Sequence, residues 1–420
     1  MIERDKIVIA GRVNTGKSSL MNLLTRQETS ITDPRAGTTA DTSRTFIEFH
    51  GLGPVALFDT AGIDEEGGLG AKKKKKVLDL IKESDLILLL INPRQEDFSA
   101  EKALIQYIRA QEKQLLIIYN IFHSSDKERI ADIEKNIPDL KFHKKIKMSA
   151  VNESDRRPLE EFILKNYSSS LRPRPLLPFL KPDLFYPFII PMDGESPEGR
   201  LIRPQSVLLE YILRNGGFVA AYRPGFIADL KEKKLVPESE LDRADKFFKS
   251  FSEIGCVICD SQVVDYADKV IPSDVLLTTF SIVMINYQSH GKLAAFRDGI
   301  RRLKSLKRGD RVLIAEACNH TRMQEDIGTV QIPKVIEERF PEVVVEHSFG
   351  REFSETSEIG AYDLVIHCGG CMIDSGKLAA RIRDLDALGV PYTNYGLFLS
   401  WKGGEKLLER VLKPWGLDLI

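Results

Sequence analysis

The feature that most constrains this chain is a glycine-rich loop close to its beginning. Residues Gly11-Arg-Val-Asn-Thr-Gly16-Lys17-Ser18 fit the pattern G-x-x-x-x-G-K-[ST]. The apolar run KIVIA precedes the loop and the segment SSLMNLLT follows it, which predicts a strand, the loop and a helix in that order. Backbone amides in such a loop, together with the helix N-terminus, bind phosphate groups. The sequence therefore predicts a loop that holds a magnesium nucleotide, with Gly11 and Gly16 beside its phosphates.

Several further residues complete the predicted nucleotide site. We expect Lys17 to reach the β- and γ-phosphate oxygens and Ser18 to bind Mg²⁺. Asp59 ends the run VALF and can hold Mg²⁺ through water, while the amide of Gly62 can meet the γ-phosphate. The segment Gly37-Thr38-Thr39 is typical of a flexible element that closes on the metal when a γ-phosphate is present. Lys17, Thr39 and Gly62 are thus the expected catalytic residues.

The first 168 residues alternate short apolar runs with amphipathic stretches. The runs are KIVIA, TFIEF, VALFD, DLILLLI, QLLIIYN and KFHKKIKMSA. Strands that alternate with helices predict a parallel sheet covered on both faces, so residues 1–168 are expected to form an α/β nucleotide-binding domain. The lysine run Lys72–Lys76 is expected to be solvent-exposed and, because it follows a nucleotide motif, to lie on a mobile loop.

Two further blocks follow the first domain. Residues 168–188 are rich in Ser and Pro and predict a linker, because repeated proline excludes a helix and weakens a strand. Residues 169–265 are expected to form this linker and a small dimerisation domain, with the helix PQSVLLEYILRNGG, the strand FVAAYR and the apolar run GCVICDSQ. Residues 266–420 alternate again and predict a doubly wound parallel sheet, with strands LLTTFSIVMI, DRVLIAEA, EVVVEHS, YDLVIHCGG and PYTNYG. No sequence repeat is visible.

The five cysteines fall into two groups. Cys318 and His320 follow the run RVLIAEA, and His367-Cys368-Gly-Gly-Cys371 follows the run YDLVI, so both sets end strands of one predicted sheet and could converge. Three thiolates and two histidines suit either a 4Fe–4S cluster with a non-cysteine fourth ligand or a zinc ion. Cys256 and Cys259 lie in an apolar run without flanking Gly or His, and we expect them in the core.

Composition excludes some classes of function. The chain has 60 Lys and Arg against 61 Asp and Glu, a balance that does not favour nucleic acid as a partner. Its strongest apolar run, LILLLI, has the length of a strand, so no membrane span is expected. The start leads directly into a strand without a signal peptide, and five cysteines do not suggest a disulfide framework. We therefore expect a cytoplasmic protein.

The spacing of the nucleotide motifs resembles that of the GTPases of tRNA modification and ribosome assembly. The resemblance implies that Thr39 binds Mg²⁺, and that Asn14 and Thr38 help to hold an activating K⁺. It also implies base contacts by Asn120 and by Ser149-Ala150. GTP is accordingly the expected nucleotide.

This chain departs from those GTPases in two places. Their guanine-reading motif, Asn-Lys-x-Asp, is replaced by Asn120-Ile-Phe-His123, which lacks the carboxylate that accepts hydrogen bonds from guanine. No Gln follows Asp59-Thr-Ala-Gly62, so the residue that positions the attacking water in Ras-like proteins is missing. The sequence therefore predicts slow hydrolysis and leaves guanine selectivity open.

The order of these pieces, with the segments ADKVIPSDVLLTTFSI, GDRVLIAEACNH, YDLVIHCGGCM and GVPYTNYG, resembles the FeFe-hydrogenase maturation GTPases, the HydF family. The resemblance covers essentially the whole chain. It implies a homodimer whose three domains bind GTP, dimerise and hold a 4Fe–4S cluster. It implies a scaffold and carrier that receives a two-iron precursor built by radical-SAM maturases and delivers it to the FeFe-hydrogenase apoprotein.

The same resemblance assigns the cluster ligands. Cys318, Cys368 and Cys371 match the three cluster cysteines of that family, and His320 and His367 match the histidines beside them. An exchangeable fourth position suits a carrier, and Glu316 or water is a hypothesis for that position.

Two other interpretations stay open on the sequence. One is an RNA- or ribosome-associated GTPase with a structural zinc site, against which the neutral charge and the lack of a basic, aromatic-rich C-terminal domain argue. The other is a redox enzyme whose Cys-x-x-Cys cycles as a disulfide, against which Cys318 and the paired histidines argue.

Overall fold

The computed structural model of this chain divides into two compact units, Met1–Pro173 and Arg174–Ile420. It describes residues 4–26, 43–49, 52–64, 68–167, 175–192, 200–225, 236–316, 327–349, 356–370, 373 and 375–419. The predicted site residues outside these ranges are Thr38, Thr39, Cys318, His320 and Cys371. Among the described residues, no helix combines the length and the apolar character needed to cross a membrane.

The first unit contains one six-stranded sheet with the order β2-β3-β1-β4-β5-β6. Its strands are β1 (Asp5–Ala10), β2 (Ser43–Phe49), β3 (Gly53–Asp59), β4 (Leu86–Ile91), β5 (Gln114–Asn120) and β6 (Lys144–Met148). Its helices are α1 (Lys17–Thr25), α2 (Gly68–Glu83), α3 (Ser99–Ala110), α4 (Asp126–Asn136) and α5 (Arg156–Asn166). Neighbouring strands pair in parallel except the edge strand β2, which is antiparallel to β3. The predicted parallel sheet is confirmed with this one exception.

Both faces of this sheet are covered because its central strands are apolar at successive positions. Along β1, Ile7 and Ile9 belong to the core on one face, and Val8 and Ala10 belong to the core on the other. All six residues of β4 are buried. Continuous apolar runs are typical of parallel strands that are buried on both faces.

Two predictions about the first unit were wrong in detail. The segment KFHKKIKMSA is not extended throughout. Its first two residues belong to a 3₁₀ helix at Pro138–Phe142, which precedes β6. Proline favours the first turn of a helix through its fixed φ. The lysine run lies on α2 rather than on a loop, and lysine is a good helix former. Lys74, Lys75 and Lys76 are exposed, as a solvated helix face requires.

The second unit contains two four-stranded sheets, the first of which we call the middle sheet. Its strands are β7 (Phe185–Ile189), β8 (Phe218–Tyr222), β9 (Val257–Cys259) and β10 (Leu277–Thr279). They are all parallel and have the order β10-β9-β7-β8. The helices of this region are α6 (Arg203–Arg214), α7 (Glu238–Phe248), α8 (Val264–Val270) and α9 (Phe280–Gln288).

The predicted proline-rich linker overlaps β7, which lies between β8 and β9, so Pro187 occupies a central strand. The pairing shifts by one residue between Phe185↔Ile254 and Phe188↔Ile258, which places an additional residue opposite the proline. Proline lacks the N–H that a regular ladder needs, and an irregularity of this kind removes that need. The prediction of a linker was therefore wrong for this strand.

We call the other sheet of this unit the cysteine sheet. Its strands are β11 (Arg311–Glu316), β12 (Val344–Phe349), β13 (Leu364–His367) and β14 (Tyr392–Asn394). Its helices are α10 (Leu293–Lys304), α11 (Ile332–Arg339), α12 (Thr356–Ile359), α13 (Ser375–Leu388), α14 (Tyr395–Gly403) and α15 (Glu405–Leu412). The strands are all parallel in the order β12-β11-β13-β14, the order of a doubly wound sheet. The predicted fold class, a P-loop domain, a small middle domain and a doubly wound C-terminal domain, is confirmed.

The segment LLTTFSIVMI is not one strand of the third block, as predicted. β10 ends at Thr279 and pairs with β9 of the middle sheet, and α9 begins at Phe280. The Thr279 hydroxyl accepts a hydrogen bond from the N–H of Ile282 at 3.2 Å, so this residue ends the strand and caps the helix. Residues 277–279 therefore belong to the middle sheet.

Candidate functional site

The phosphate-binding loop connects β1 to α1, and close contacts require its glycines. A Cβ at Gly11 would lie 2.6 Å from the carbonyl oxygen of Leu90, and a Cβ at Gly16 would lie 2.3 Å from Nδ2 of Asn120. Gly16 also has φ +98°, a conformation that disfavours side chains. Asn14, at the crown of the loop, is exposed. The loop is thus packed on one side and open to solvent on the other.

Ser18 and Asp59 meet where the sequence predicts Mg²⁺. The Ser18 hydroxyl donates to Oδ2 of Asp59 at 2.7 Å, whereas Oδ1 is buried without a hydrogen-bond partner among the described residues. Burial raises the pKa of Asp59, and the hydrogen bond from Ser18 and the charge of Lys17 oppose that rise. An unpaired buried carboxylate oxygen beside a hydroxyl suits a hard divalent cation. These residues therefore fit Mg²⁺.

Lys17 lies inside the curve of the loop. Its side chain is buried, and Nζ donates to the carbonyl oxygen of Arg12 at 2.6 Å. The hydroxyl of Thr15 donates to the same carbonyl at 2.9 Å. The loop therefore already holds the ammonium group. Phosphate oxygens of a bound nucleotide would compete with the Arg12 carbonyl for its hydrogen bonds.

Asn120 fastens the loop to the turn at Ser149-Ala150. Its Nδ2 donates to the carbonyl oxygen of Thr15 at 2.8 Å, and its Oδ1 accepts from the N–H of Ala150 at 2.9 Å. The N–H of Ser149 donates to Asp155 at 2.8 Å. Three predicted nucleotide residues, Asn120, Ser149 and Ala150, are thus brought together with the phosphate loop.

The loop after β5 has its own carboxylate, but this group is occupied. Asp126 accepts from the N–H groups of Phe122 and His123 at 2.9 and 2.8 Å through one oxygen, and from Arg94 at 3.0 Å through the other. The Arg94 guanidinium also lies over the ring of Phe122. Asp126 therefore shapes the loop, and His123 stays exposed where the GTPase motif would have its Asp.

The segment after Gly62 is attached to the phosphate loop by Asp64. This carboxylate accepts from the N–H of Val13 at 2.8 Å and from Nε of Arg12 at 3.0 Å. Ile63, which stands where Ras-like proteins have Gln, is buried in the core. An apolar side chain turned into the core cannot orient water, in agreement with the sequence prediction that this role is not filled here.

Glu101, near the start of α3, is a fully buried acid beside this cluster. Neither carboxyl oxygen has a hydrogen bond to another described residue. Burial raises its pKa to about 7, and the charge of Arg12 limits the rise. Nothing in the sequence distinguishes this group, because glutamate side chains are ordinarily solvent-exposed.

The predicted cysteine site lies at the carboxyl ends of β11 and β13, the two central strands of the cysteine sheet. His367 pairs with Ala315, and the N–H of Cys368 donates to the Ala315 carbonyl at 3.0 Å. In the strand order of this sheet the two ends flank the point where the winding reverses, the usual ligand position in such sheets. β13 leads into Cys368 at this point, whereas Cys318 lies beyond the described end of β11.

The loop after Cys368 is shaped by its glycines. Gly370 has φ +67°, and a Cβ there would lie 2.7 Å from Oε1 of Gln288. Gln288 is buried, and this oxygen has no hydrogen-bond partner among the described residues. A Cβ at Gly369 would lie 3.1 Å from the Ser281 hydroxyl. The loop therefore wraps tightly against α9, as a loop that brings two thiolates to one metal or cluster requires.

His367 does not offer a nitrogen to metal in this structure. Its Nδ1 lies 2.7 Å from the Cys368 carbonyl oxygen, and its Nε2 lies 3.0 Å from a guanidinium nitrogen of Arg381. Its expected role as a candidate ligand is therefore not supported by the geometry, because both ring nitrogens are engaged within the protein.

Glu316, the hypothetical fourth ligand, is buried at the end of β11. Its Oε1 accepts from the hydroxyl of Tyr395 at 2.9 Å. A Cβ at Gly328 would lie 1.8 Å from the same oxygen, so only glycine fits there. Glu316 is thus held next to Gly328 by its hydrogen bond to Tyr395.

Cys256 and Cys259 are fully buried, and their predicted place in the core is confirmed. Burial raises the pKa of both thiols, so neither forms a thiolate readily. Within the described ranges, which exclude two of the three other cysteines, no group of three or more metal-binding side chains occurs.

Sequence reasoning missed Arg381, Gln288 and Tyr395, all of which surround the cysteine site. One signal was present for Arg381, which occupies an apolar position of α13 beside the buried residues Leu378 and Leu385. An arginine in the apolar stripe of a helix must find a buried partner, and here that partner is His367.

Three family models match the chain in order. Residues 6–121 match the model described as a 50S ribosome-binding GTPase. Residues 179–289 match the hydrogen maturase F dimerization domain, and residues 294–414 match the hydrogen maturase F tetramerization domain.

Individual curated relatives match a part of this chain. The tRNA modification GTPase MnmE of Lactobacillus helveticus is 35% identical over 168 residues, which are 39% of this chain and 34% of that protein. GTPase Der of Campylobacter jejuni is 34% identical over 124 residues, which are 29% and 27% of the two chains. The chain thus spans about a third of the length of the curated relatives it matches.

Among solved structures, Aquifex aeolicus Era bound to GDP and AlF4⁻ aligns with a TM-score of 0.34 and 18% identity, over 60% of this chain and 100% of that one. A score this low carries no argument about the fold, which rests on the strand order above. Since the two hydrogen maturase F models together match more than half of the chain and lie behind a GTPase domain, the chain belongs to the hydrogen maturase F (HydF) family.

Proposed function

We propose that this chain is a GTP-hydrolysing scaffold and carrier for iron–sulfur chemistry. In this role it receives a two-iron precursor from radical-SAM maturases and delivers it to the FeFe-hydrogenase apoprotein. The observation that carries the proposal is the position of Cys368 at the reversal point of a doubly wound sheet, in a chain of the HydF family.

The first unit would bind GTP with Mg²⁺. The phosphate loop, with Gly11, Gly16 and Lys17, would hold the phosphates, and Ser18 with Asp59 would hold the metal. Thr39 would complete the metal shell, and the Gly62 amide would meet the γ-phosphate. When bound, Mg²⁺ neutralises charge on the phosphate oxygens, which aids hydrolysis.

Hydrolysis would be slow and stimulated by K⁺ through Asn14 and Thr38. The buried Ile63 supports slowness, because it leaves no side chain at the Gln position to orient water. GTP turnover measured in equal concentrations of KCl and NaCl tests the stimulation by K⁺. Equal rates in the two salts would contradict a role for K⁺.

The third domain, residues 266–420, would hold a 4Fe–4S cluster through Cys318, Cys368 and Cys371, with an exchangeable fourth position. The tight wrap of the loop at Gly369 and Gly370 and the donor set support this assignment. When bound, the cluster supplies an iron site that can accept and release cargo.

The chain would act as a homodimer in the cytoplasm, through a dimerisation domain within residues 169–265. The names of the matched family models, dimerization and tetramerization domain, support self-assembly and extend it to a tetramer. The near-neutral charge supports neither nucleic acid nor a membrane surface as a partner.

The experiment that tests this function is the activation of apo-hydrogenase by the full chain in the presence of both maturases. Lys17→Ala should abolish GTP hydrolysis and impair activation while the cluster still forms. The matched control, Lys127→Ala on the exposed side of α4, should change none of the three. Loss of the cluster in Lys17→Ala would contradict the separation of nucleotide and cluster roles.

A second candidate, a ribosome-associated GTPase with a structural zinc site, is favoured by one observation, the description of the model matched by residues 6–121. Stoichiometric zinc in place of iron, together with salt-sensitive binding to ribosomal RNA, would select it over the scaffold.

A further inference from the structure

His367 and Arg381 form a buried pair directly behind the cysteine loop. His367 ends β13 and is 2% exposed, and Arg381 lies on α13 and is 4% exposed. Nη1 of Arg381 lies 3.0 Å from Nε2 of His367, and Nδ1 of His367 lies 2.7 Å from the carbonyl oxygen of Cys368. The imidazole therefore joins a buried guanidinium to the backbone of a cysteine.

The chemistry of arginine determines the tautomer of this histidine. A guanidinium carries N–H donors and no acceptor, so Nε2 of His367 must be the acceptor. A neutral imidazole with an acceptor at Nε2 carries its proton at Nδ1, which donates to the Cys368 carbonyl. The single lone pair that the ring could offer to iron is therefore directed at Arg381.

The pair also fixes the backbone of the loop. The N–H of Cys368 donates to the carbonyl of Ala315 at 3.0 Å, while its carbonyl accepts from His367. Because a trans peptide is planar, the N–H of Gly369 points in the direction opposite to that carbonyl. One donor of the Cys-x-x-Cys loop thus has a direction set by His367.

We propose that Arg381 and His367 are positioning residues of the cysteine site and that His367 is not a ligand. Arg381 holds His367 as the Nδ1–H tautomer, and His367 orients the Cys368–Gly369 peptide. The inference rests on the proposed function, since it gives the pair a role toward a cluster. Buried positive charge and oriented N–H donors stabilise the more negative, reduced form of a cluster, so the pair raises its reduction potential.

The first test uses the metal-free full chain. Nitrogen NMR of protein labelled with ¹⁵N-histidine reports the tautomer of the 7 histidines. We expect one histidine signal of an Nδ1–H tautomer, and this signal should disappear in His367→Asn. In Arg381→Met the same histidine should change its tautomer. His347 provides a reference for the opposite form, because its Nε2 lies 3.1 Å from the carbonyl oxygen of Gly328 and must donate to it. An Nε2–H form of His367 in the unaltered chain would overturn the proposal.

The second test is the midpoint potential of the reconstituted cluster, from EPR-monitored reduction with dithionite. Arg381→Met should make the potential more negative, while Arg381→Lys, which keeps the charge and a donor, should stay near the unaltered protein. Arg383→Met is the matched control, since it removes the same charge two residues along α13, on another side of the helix. Equal shifts in the two Met variants, or no shift in Arg381→Met, would contradict the proposal.

The third test looks for iron-bound nitrogen by pulsed EPR of the reduced, ¹⁵N-histidine-labelled protein. His367→Asn should leave the coupling between the cluster and any iron-bound nitrogen unchanged. His320→Asn shows whether such a coupling comes from His320. A strong nitrogen coupling that is lost only in His367→Asn would show that His367 is a ligand and would contradict the inference.

The tests separate two kinds of failure. If the unaltered protein takes up no iron, the proposed function fails, whereas the NMR tautomer still decides whether the pair exists as described. If iron binds but the tautomer is Nε2–H, the inference fails and the proposed function stands. Melting temperatures of all variants show which of them fold. If Arg381→Met does not fold, the tautomer of His367 in the unaltered chain still tests the proposal.

Discussion

The middle sheet and the cysteine sheet are built alike but differ in what their strand ends carry. In both, four parallel strands have the same order, and the last strand leads directly into a helix. Thr279 caps one of these helices and Asn394 caps the other, each by accepting a hydrogen bond from the N–H three residues later. The second unit thus repeats one architecture, although its sequence shows no repeat.

The difference appears at equivalent positions of the central strands. Cys259 pairs with the end of β7 and of β10 in the middle sheet, and His367 occupies the same place between β11 and β14. Cys259 is a buried core thiol, whereas His367 begins a polar loop that carries Cys368. The crevice comes from the topology, and the residues that follow each strand decide whether it becomes a site.

The largest expected effect separates the two cysteine pairs. Cys368→Ser should abolish the cluster, whereas Cys259→Ser should retain it and lower the free energy of unfolding by roughly 1–3 kcal/mol, because a hydroxyl is buried without a partner. Iron and sulfide per chain, with urea unfolding, measure both. A cluster retained in Cys368→Ser, or lost in folded Cys259→Ser, would break the comparison.

The middle sheet has a buried acid of its own, Glu240, with a structural role. One oxygen of Glu240 accepts from the hydroxyls of Tyr222 and Tyr266 at 2.5 and 2.9 Å and from the N–H of Gly225 at 3.1 Å. Burial alone would raise its pKa, but these hydrogen bonds lower it. Its contribution to stability is therefore present above the ordinary glutamate range and is lost as the pH falls through the lowered pKa.

Glu240→Ala should therefore destabilise the second unit without removing the cluster. Without Glu240, the Tyr266 hydroxyl can still donate to the Tyr222 hydroxyl at 3.2 Å, so one hydroxyl loses its acceptor. We expect the free energy of unfolding to fall by roughly 1–3 kcal/mol. The control on the same helix, Asp245→Ala, breaks only an exposed ion pair with Lys249 and should change stability little. Denaturant unfolding at neutral pH checks this, and equal effects of the two variants would contradict it.

A second buried glutamate, Glu101 in the first unit, should show the opposite pH dependence. Its pKa is raised by burial from 4.5 to about 7, so between these values the folded state binds more protons than the unfolded state. Stability should therefore fall as the pH rises across this window, by on the order of 3 kcal/mol. Glu101→Gln should remove this dependence.

Urea unfolding of both proteins from pH 4.5 to pH 8 measures the Glu101 effect. The unaltered protein and Glu101→Gln should diverge with increasing pH, with the variant more stable at pH 8. Parallel curves would show that Glu101 titrates normally and is not isolated in the folded state.

The smallest effect concerns the cysteine loop backbone. Gly370 and Gly291 both have positive φ. A Cβ at Gly370 would lie 2.7 Å from Oε1 of Gln288, whereas a Cβ at Gly291 would have no atom within 4 Å. Gly291→Ala should cost about 1 kcal/mol of strain, and Gly370→Ala should cost more and weaken cluster retention. Melting temperature and iron loss to a chelator compare the two, and identical behaviour would mean that the wrap of the loop does not matter.

The sequence predicted the first unit well because its strands are long, apolar and separated by clear helices. The middle sheet was largely hidden, since β9 and β10 have three residues each and β7 contains Pro187. The position of Cys368 directly after β13 followed from the strand pattern. Arg381 could not be predicted as a partner of His367, because a buried ion is recognised only once its surroundings are known.

The central claim is that the end of the cysteine sheet, and not the middle sheet, holds an iron–sulfur cluster. The most direct measurement is the EPR spectrum of the anaerobically reconstituted full chain after dithionite reduction, with its metal content. A reduced 4Fe–4S signal that is lost when Cys318, Cys368 or Cys371 becomes Ser, and kept when Cys256 or Cys259 does, is the predicted result. Stoichiometric zinc without an iron signal would contradict the account.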